Sequence, residues 1–134
     1  MLTTLTNQIL LKAKSELKGV ASHLPASKSI SNRVLIMNAL GGNTSKLHNL
    51  SDANDTQLMM RLVRSPEPVI DVEDAGTTMR FLTGYFAITG QRKTLTGTER
   101  MQERPIGILA DALRSLGASI KYLKKDGFPP LMTE

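Results

Sequence analysis

Glycine and proline divide this chain into four helix-length stretches separated by short β-prone runs, and that punctuation constrains the fold more than any other feature. The first stretch runs from about Ser29 to Leu40, with Ile30, Val34, Leu35, Met37 and Leu40 as an apolar stripe and Gly41-Gly42 as a stop. A second is predicted over about Ala53–Val63, with Ser51 or Asp52 as N-cap and Leu58, Met59, Leu62 and Val63 facing inward. A third spans roughly Gly76 to Ile88 and ends at Gly90. The fourth starts with Pro105 in its first turn, carries Ile108, Leu109, Ala112, Leu113 and Leu116, and stops at Gly117. Strand-like runs lie between them at Lys46–Leu50, Val69–Val72, Lys93–Gly97 and Ala118–Leu123, with two more upstream at Ile9–Ala13 and Lys18–His23. Ser65-Pro66-Glu67-Pro68 and Phe128-Pro129-Pro130 read as loops. The alternation predicts an α/β fold.

Composition narrows the function. The 134 residues contain no cysteine, which removes a disulfide scaffold, a thiolate metal site and a cysteine nucleophile. No run approaches the length of a membrane span and no secretory leader is visible, so a cytoplasmic chain is expected. The net charge of +5 is local: residues 1–51 hold six basic groups and the single acid Glu16, whereas 52–134 hold eleven of each sign. A basic first third suits an anionic partner. The aromatics are only Phe81, Tyr85, Phe86, Tyr122 and Phe128, none in a basic cluster, which fits poorly with stacking on nucleic-acid bases. His23 and His48 lie far apart with no carboxylates at ligand spacing, so no metal is expected.

Three segments could carry chemistry. Ser27-Lys28-Ser29-Ile30-Ser31-Asn32-Arg33 opens a helix, where free N–H groups and the positive dipole end favour an anion. Ser29 and Arg33 share a face there, one turn apart, and Lys28 adds a point charge. Ala75-Gly76-Thr77-Thr78-Met79-Arg80 places a glycine just before a helix, letting a ligand approach the backbone, without P-loop or dinucleotide-fingerprint spacing. Glu99-Arg100-Met101-Gln102-Glu103-Arg104-Pro105-Ile106 sets Arg104 immediately ahead of a proline, where it can swing toward an anion or pair with Glu99 and Glu103. Taken alone, the first two segments also fit ordinary capped helix starts and the third a solvated salt-bridge cluster.

Taken together and in order, Leu24 to Arg33, Ala75 to Arg80 and Arg100 to Gly107 resemble the 3-phosphoshikimate 1-carboxyvinyltransferase (EPSP synthase) family. Asp111 to Ala118 and Pro129-Pro130-Leu131 extend the likeness, which covers essentially the whole chain but only the N-terminal part of the family's longer sequence. The resemblance implies a two-globe fold of repeated βαβαββ units closing over a cleft. It implies transfer of the enolpyruvyl group of phosphoenolpyruvate to the 5-hydroxyl of shikimate 3-phosphate, with release of phosphate and no cofactor. Residues 1–24 would supply strands to the other globe, and 25–134 one complete and one partial unit of the substrate-binding globe.

Carried over by motif, Lys28 would meet both substrates, and Ser29 and Arg33 would hold shikimate 3-phosphate. Gly76 and Arg104 would line the phosphoenolpyruvate site, with Arg80 and Asp55 supporting. The family takes its proton-transfer Asp and Glu, a further Lys and more arginines from its C-terminal part, so weak substrate binding without turnover is expected. The related UDP-N-acetylglucosamine enolpyruvyl transferase shares fold and donor, but the Ser-Lys-Ser-x-Ser-Asn-Arg stretch argues against it. A basic nucleic-acid-binding module is the alternative from another class. Two departures stand out: the segment 64–74 is short, and Asp74 stands where relatives often carry asparagine. An acid there repels a phosphate-bearing ligand unless it faces away.

Overall fold

The computed structural model describes Glu16, residues 18–20 and residues 22–134. Two helices come first, α1 (Lys28–Leu40) and α2 (Asn54–Leu62). They are followed by β1 (Val69–Asp71), α3 (Gly76–Ile88), β2 (Lys93–Thr96), α4 (Glu99–Gln102), α5 (Gly107–Ser115), β3 (Ile120–Tyr122) and β4 (Leu131–Thr133). The four strands form one sheet in the order β1-β2-β4-β3, with β1 and β2 parallel and the other pairs antiparallel. From β1 onward, with the short α4 set aside, the order is β-α-β-α-β-β.

Side-chain alternation builds the core on one face of this sheet. Ile70, Leu95, Leu131 and Ile120 point inward from the four strands and meet Met79, Leu82 and Phe86 of α3 and Ala110 and Leu113 of α5. Leu58, Met59, Leu62 and Val63 of the second helical stretch are buried as its periodicity predicts. The short connection after α2 is pinned by Lys93, whose buried ammonium donates to the carbonyls of Ser65 (2.9 Å) and Glu67 (2.7 Å). Two carbonyl acceptors are what make a buried lysine tolerable.

Several expectations need correction. Lys46–Leu50 is not a strand: Asn49 takes φ 53°, which breaks extended backbone. The flanking amides are used elsewhere, Ser45 N–H on Asn38 Oδ1 and Ser51 N–H on Ser31 Oγ. Ile9–Ala13 lies outside the described residues. The described residues of Lys18–His23 form no strand, and His23 turns through φ 58°. The last helix starts at Gly107 rather than at Pro105: Ile106 takes a non-helical φ of −129° as its N-cap, and its N–H is bonded to the Gly127 carbonyl at 2.8 Å. The strand Leu131–Thr133 follows directly on the proline pair read as a loop.

The apolar stripe predicted for α1 is also rotated. Its buried face is Ser31, Asn32, Leu35, Asn38 and Ala39, whereas Ile30, Met37 and Leu40 are exposed. Ser31 and Asn38 face inward because each satisfies a backbone group of the following loop. On α5, Ile108 and Leu116 are likewise exposed and only Ala110 and Leu113 are buried. Among the described residues no helix is long and apolar enough to cross a membrane.

Candidate functional site

Side-chain bonds draw together the starts of the three long N-terminal helices. Ser27 caps α1, its hydroxyl accepting from the Ile30 N–H at 3.3 Å. The next residue, Lys28, reaches the first turn of α2, where its ammonium lies 3.5 Å from Asp55 Oδ2. The Asp55 carbonyl accepts from Thr78 Oγ1 in the first turn of α3 at 3.2 Å. Lys28, Asp55 and Thr78 therefore link α1, α2 and α3 at their positive ends. Neither Ser51 nor Asp52 is the N-cap of α2. Ala53 holds that position without a side-chain bond, and Ser51 Oγ accepts from the Ala53 N–H.

Gly76 and Arg104 meet at the start of α3. A Cβ on Gly76 would sit 2.5–2.6 Å from three atoms of the Arg104 guanidinium, so only glycine lets that group lie against the helix end. The guanidinium donates a long bond of 3.4 Å to the Asp74 carbonyl. It forms no ion pair with Glu99 or Glu103. A cation held against the positive end of a 13-residue helix is a like-sign arrangement, and an anion between the two relieves it. Arg80 holds the same corner from behind, donating to the carbonyls of Gly76 (3.2 Å) and Pro105 (2.9 Å).

Ser29 and Arg33 lie one turn apart on the exposed face of α1, where Arg33 donates to the Ser29 carbonyl at 3.0 Å. The Arg33 guanidinium also rests 5.7 Å from the Phe81 ring centre on α3. Arg33 and Arg80 both line the groove between α1 and α3. The Asp74 carboxylate, the acid expected to trouble a phosphate ligand, accepts the Thr98 hydroxyl. One contributor escaped sequence reasoning, Thr98. Thr98 caps α4 and is followed by Glu99 in the first turn, a helix-start signal that was there to be read.

This arrangement can bind anionic groups at two helix starts and offers guanidinium and ammonium groups to them. A family model described as EPSP synthase (3-phosphoshikimate 1-carboxyvinyltransferase) matches residues 11–65 and 61–134. The chain belongs to the EPSP synthase family. Relatives named 3-phosphoshikimate 1-carboxyvinyltransferase include one from Bacteroides fragilis strain YCH46, 54% identical over 125 residues, covering 93% of this chain and 30% of the relative. Another, from Tolumonas auensis, is 38% identical over 154 residues, covering 96% of this chain and 36% of the relative. An EPSP synthase structure from Acinetobacter baumannii superposes with a TM-score of 0.66 at 21% identity, over 81% of this chain and 30% of that one, which supports the fold. The chain thus spans about a third of the length of the EPSP synthase relatives it matches.

The two family matches meet at residues 61–65, at the end of α2. The Tolumonas comparison spends 154 positions on 96% of 134 residues, about 129, so about 25 positions face nothing here. The Bacteroides comparison spends 125 positions on 93% of the chain and needs no such gap. The compact connection between α2 and β1 is therefore shared with the B. fragilis relative.

Proposed function

We propose that this chain supplies the anion-gripping half of an enolpyruvyl transfer site. In the complete reaction the 5-hydroxyl oxygen of shikimate 3-phosphate forms a bond to C2 of phosphoenolpyruvate, the C2–O bond to the phosphoryl group breaks, and the hydroxyl proton leaves with the phosphate as hydrogen phosphate. Lys28 serves both substrates, Ser29 and Arg33 hold shikimate 3-phosphate, and Gly76 with Arg104 lines the phosphoenolpyruvate site. Arg80 and Asp55 keep those groups in place. Both substrates are small polyanions, and the chemistry is mainly charge placement in a site that closes on them.

The Arg104 guanidinium lying on Gly76 at the start of α3 is the observation that carries this reading. Residues 25–134 are taken as one complete βαβαββ unit and part of another in the substrate-binding globe, with residues 1–24 belonging to the opposing one. The remainder of the family's length is the partner, and the apolar faces left open on α1, α3 and α5 are consistent with that. Without it the cleft stays wet, so binding is expected on the order of millimolar and turnover is not expected.

Calorimetric titration at fixed ionic strength tests the proposal. Shikimate 3-phosphate should bind and the Arg33→Ala variant should lose that binding. Preference for UDP-N-acetylglucosamine would move the chain to the sister transferase, and a steep salt dependence of DNA or RNA binding would replace the reading altogether.

A further inference from the structure

We propose that Asp74 is a positioning residue for Arg104, an inference that rests on the phosphoenolpyruvate reading only for its second readout. Asp74 sits in the turn that joins β1 to α3. That turn is tightly built: Asp71 Oδ1 accepts from the Glu73 N–H at 2.8 Å, Glu73 takes φ 51°, and the Ala75 N–H bonds to the Val72 carbonyl at 2.9 Å. From this fixed base Asp74 holds both ends of the segment 98–104. Its carboxylate accepts the Thr98 hydroxyl, and its carbonyl accepts from the Arg104 guanidinium at 3.4 Å.

Thr98 turns the first of those bonds into a constraint on Arg104. A hydroxyl has one proton to give, and Thr98 gives it to Asp74 while its oxygen accepts from the Met101 N–H at 3.3 Å. The cap of α4 is therefore oriented by Asp74. The Thr98 N–H also bonds to the Glu73 carbonyl at 3.2 Å, Met101 is fully buried, and the Arg104 N–H closes the segment on the Met101 carbonyl at 3.1 Å. At 3.4 Å the guanidinium's own bond to the turn is too long to fix it alone. Its place over Gly76 depends on where the 98–104 segment is anchored.

Holding the carboxylate on Thr98 has a second consequence. Asp74 makes no ion pair with Arg104, so the guanidinium keeps its charge available to an anion. The acid beside the anion grip is engaged by the Thr98 hydroxyl and not by the guanidinium.

The test uses the full chain and reads Arg104 first without ligand. The Arg104 Nε–Hε resonance is followed by NMR in the parent and in Asp74→Ala, Asp74→Asn and Thr98→Ser. Asp74→Ala should shift and broaden it or merge it with free arginines. Asp74→Asn, whose Oδ1 accepts the same hydroxyl, and Thr98→Ser should leave it in place. Phosphoenolpyruvate titration should then show affinity reduced at least about tenfold in Asp74→Ala and kept in the two conservative variants. An unchanged Arg104 resonance in a folded Asp74→Ala protein would overturn the proposal, as would Asp74→Asn behaving like Asp74→Ala. If the resonance responds as described but the parent fails to bind phosphoenolpyruvate, the positioning role stands and the substrate reading falls.

Discussion

At Gly76 an added Cβ would strike the far end of a flexible arginine, and at Gly97 it would strike backbone. The same one-carbon change should therefore read out differently at the two positions. Gly76→Ala adds a better helix former at a helix start and displaces only the Arg104 guanidinium, so melting should hold or rise slightly while phosphoenolpyruvate binding is lost. At Gly97 the Cβ would lie 2.4 Å from the Glu73 carbonyl oxygen and under 3 Å from two atoms of buried Met101. Gly97→Ala should cost about 1–3 kcal/mol, seen as a lower midpoint in urea unfolding. The sequence made Gly76 conspicuous because it precedes a helix. Gly97 was not conspicuous, since what forbids its side chain is a carbonyl 24 residues earlier in the chain.

Between elements, the junction of α1 and α2 contains polar groups that the fold buries without partners among the described residues. Thr56 is fully buried on α2 and its hydroxyl has no hydrogen bond; both amide atoms of Asn32 on α1 are in the same state. Thr56→Val keeps the shape and removes the unmet hydroxyl, so it should stabilise by about 1 kcal/mol in thermal unfolding. At the other end of the molecule Glu134 ties β4 to β3. Its hydrogen bond with Lys121 lowers its carboxyl below the ordinary 4.5. A lowered folded-state value stabilises fully above the ordinary value and less as pH falls through the lowered one. Protection factors of the β3 and β4 amides, corrected for the intrinsic pH dependence of exchange, should therefore fall on acidification below pH 4.5, and Glu134→Gln should flatten that dependence. The three helix starts of the site were legible because caps, glycine and basic residues act locally. The strand Leu131–Thr133 was not, because nothing local marks a three-residue strand after Pro129-Pro130 as paired with two others. The four residues of α4 are likewise too few to show a period.

For the molecule as a whole, the helical layer is apolar on both sides. On the inner side α3 packs on the sheet and α1 packs on α2 and α3, while Ile30, Met37 and Leu40 of α1, Ile88 of α3, Ile108 of α5 and the following Leu116 remain exposed, Ile108 at 92%. This is why the stripe predicted for α1 is rotated: the periodicity recorded apolar residues on two sides, and only packing decides which side α2 and α3 cover. Anilinonaphthalene sulfonate should bind this face, and Met37→Lys combined with Ile88→Lys should reduce the fluorescence while changing stability little. The central claim, however, concerns the opposite sign of chemistry, the anion grip at the clustered helix starts. The most direct test is a residue-resolved NMR titration of the full chain with shikimate 3-phosphate, run beside Arg33→Ala. The account predicts saturable shifts centred on Lys28, Ser29 and Arg33 that vanish in the variant. A folded protein whose Lys28–Arg33 resonances stay still at millimolar ligand, or respond equally in Arg33→Ala, would contradict it.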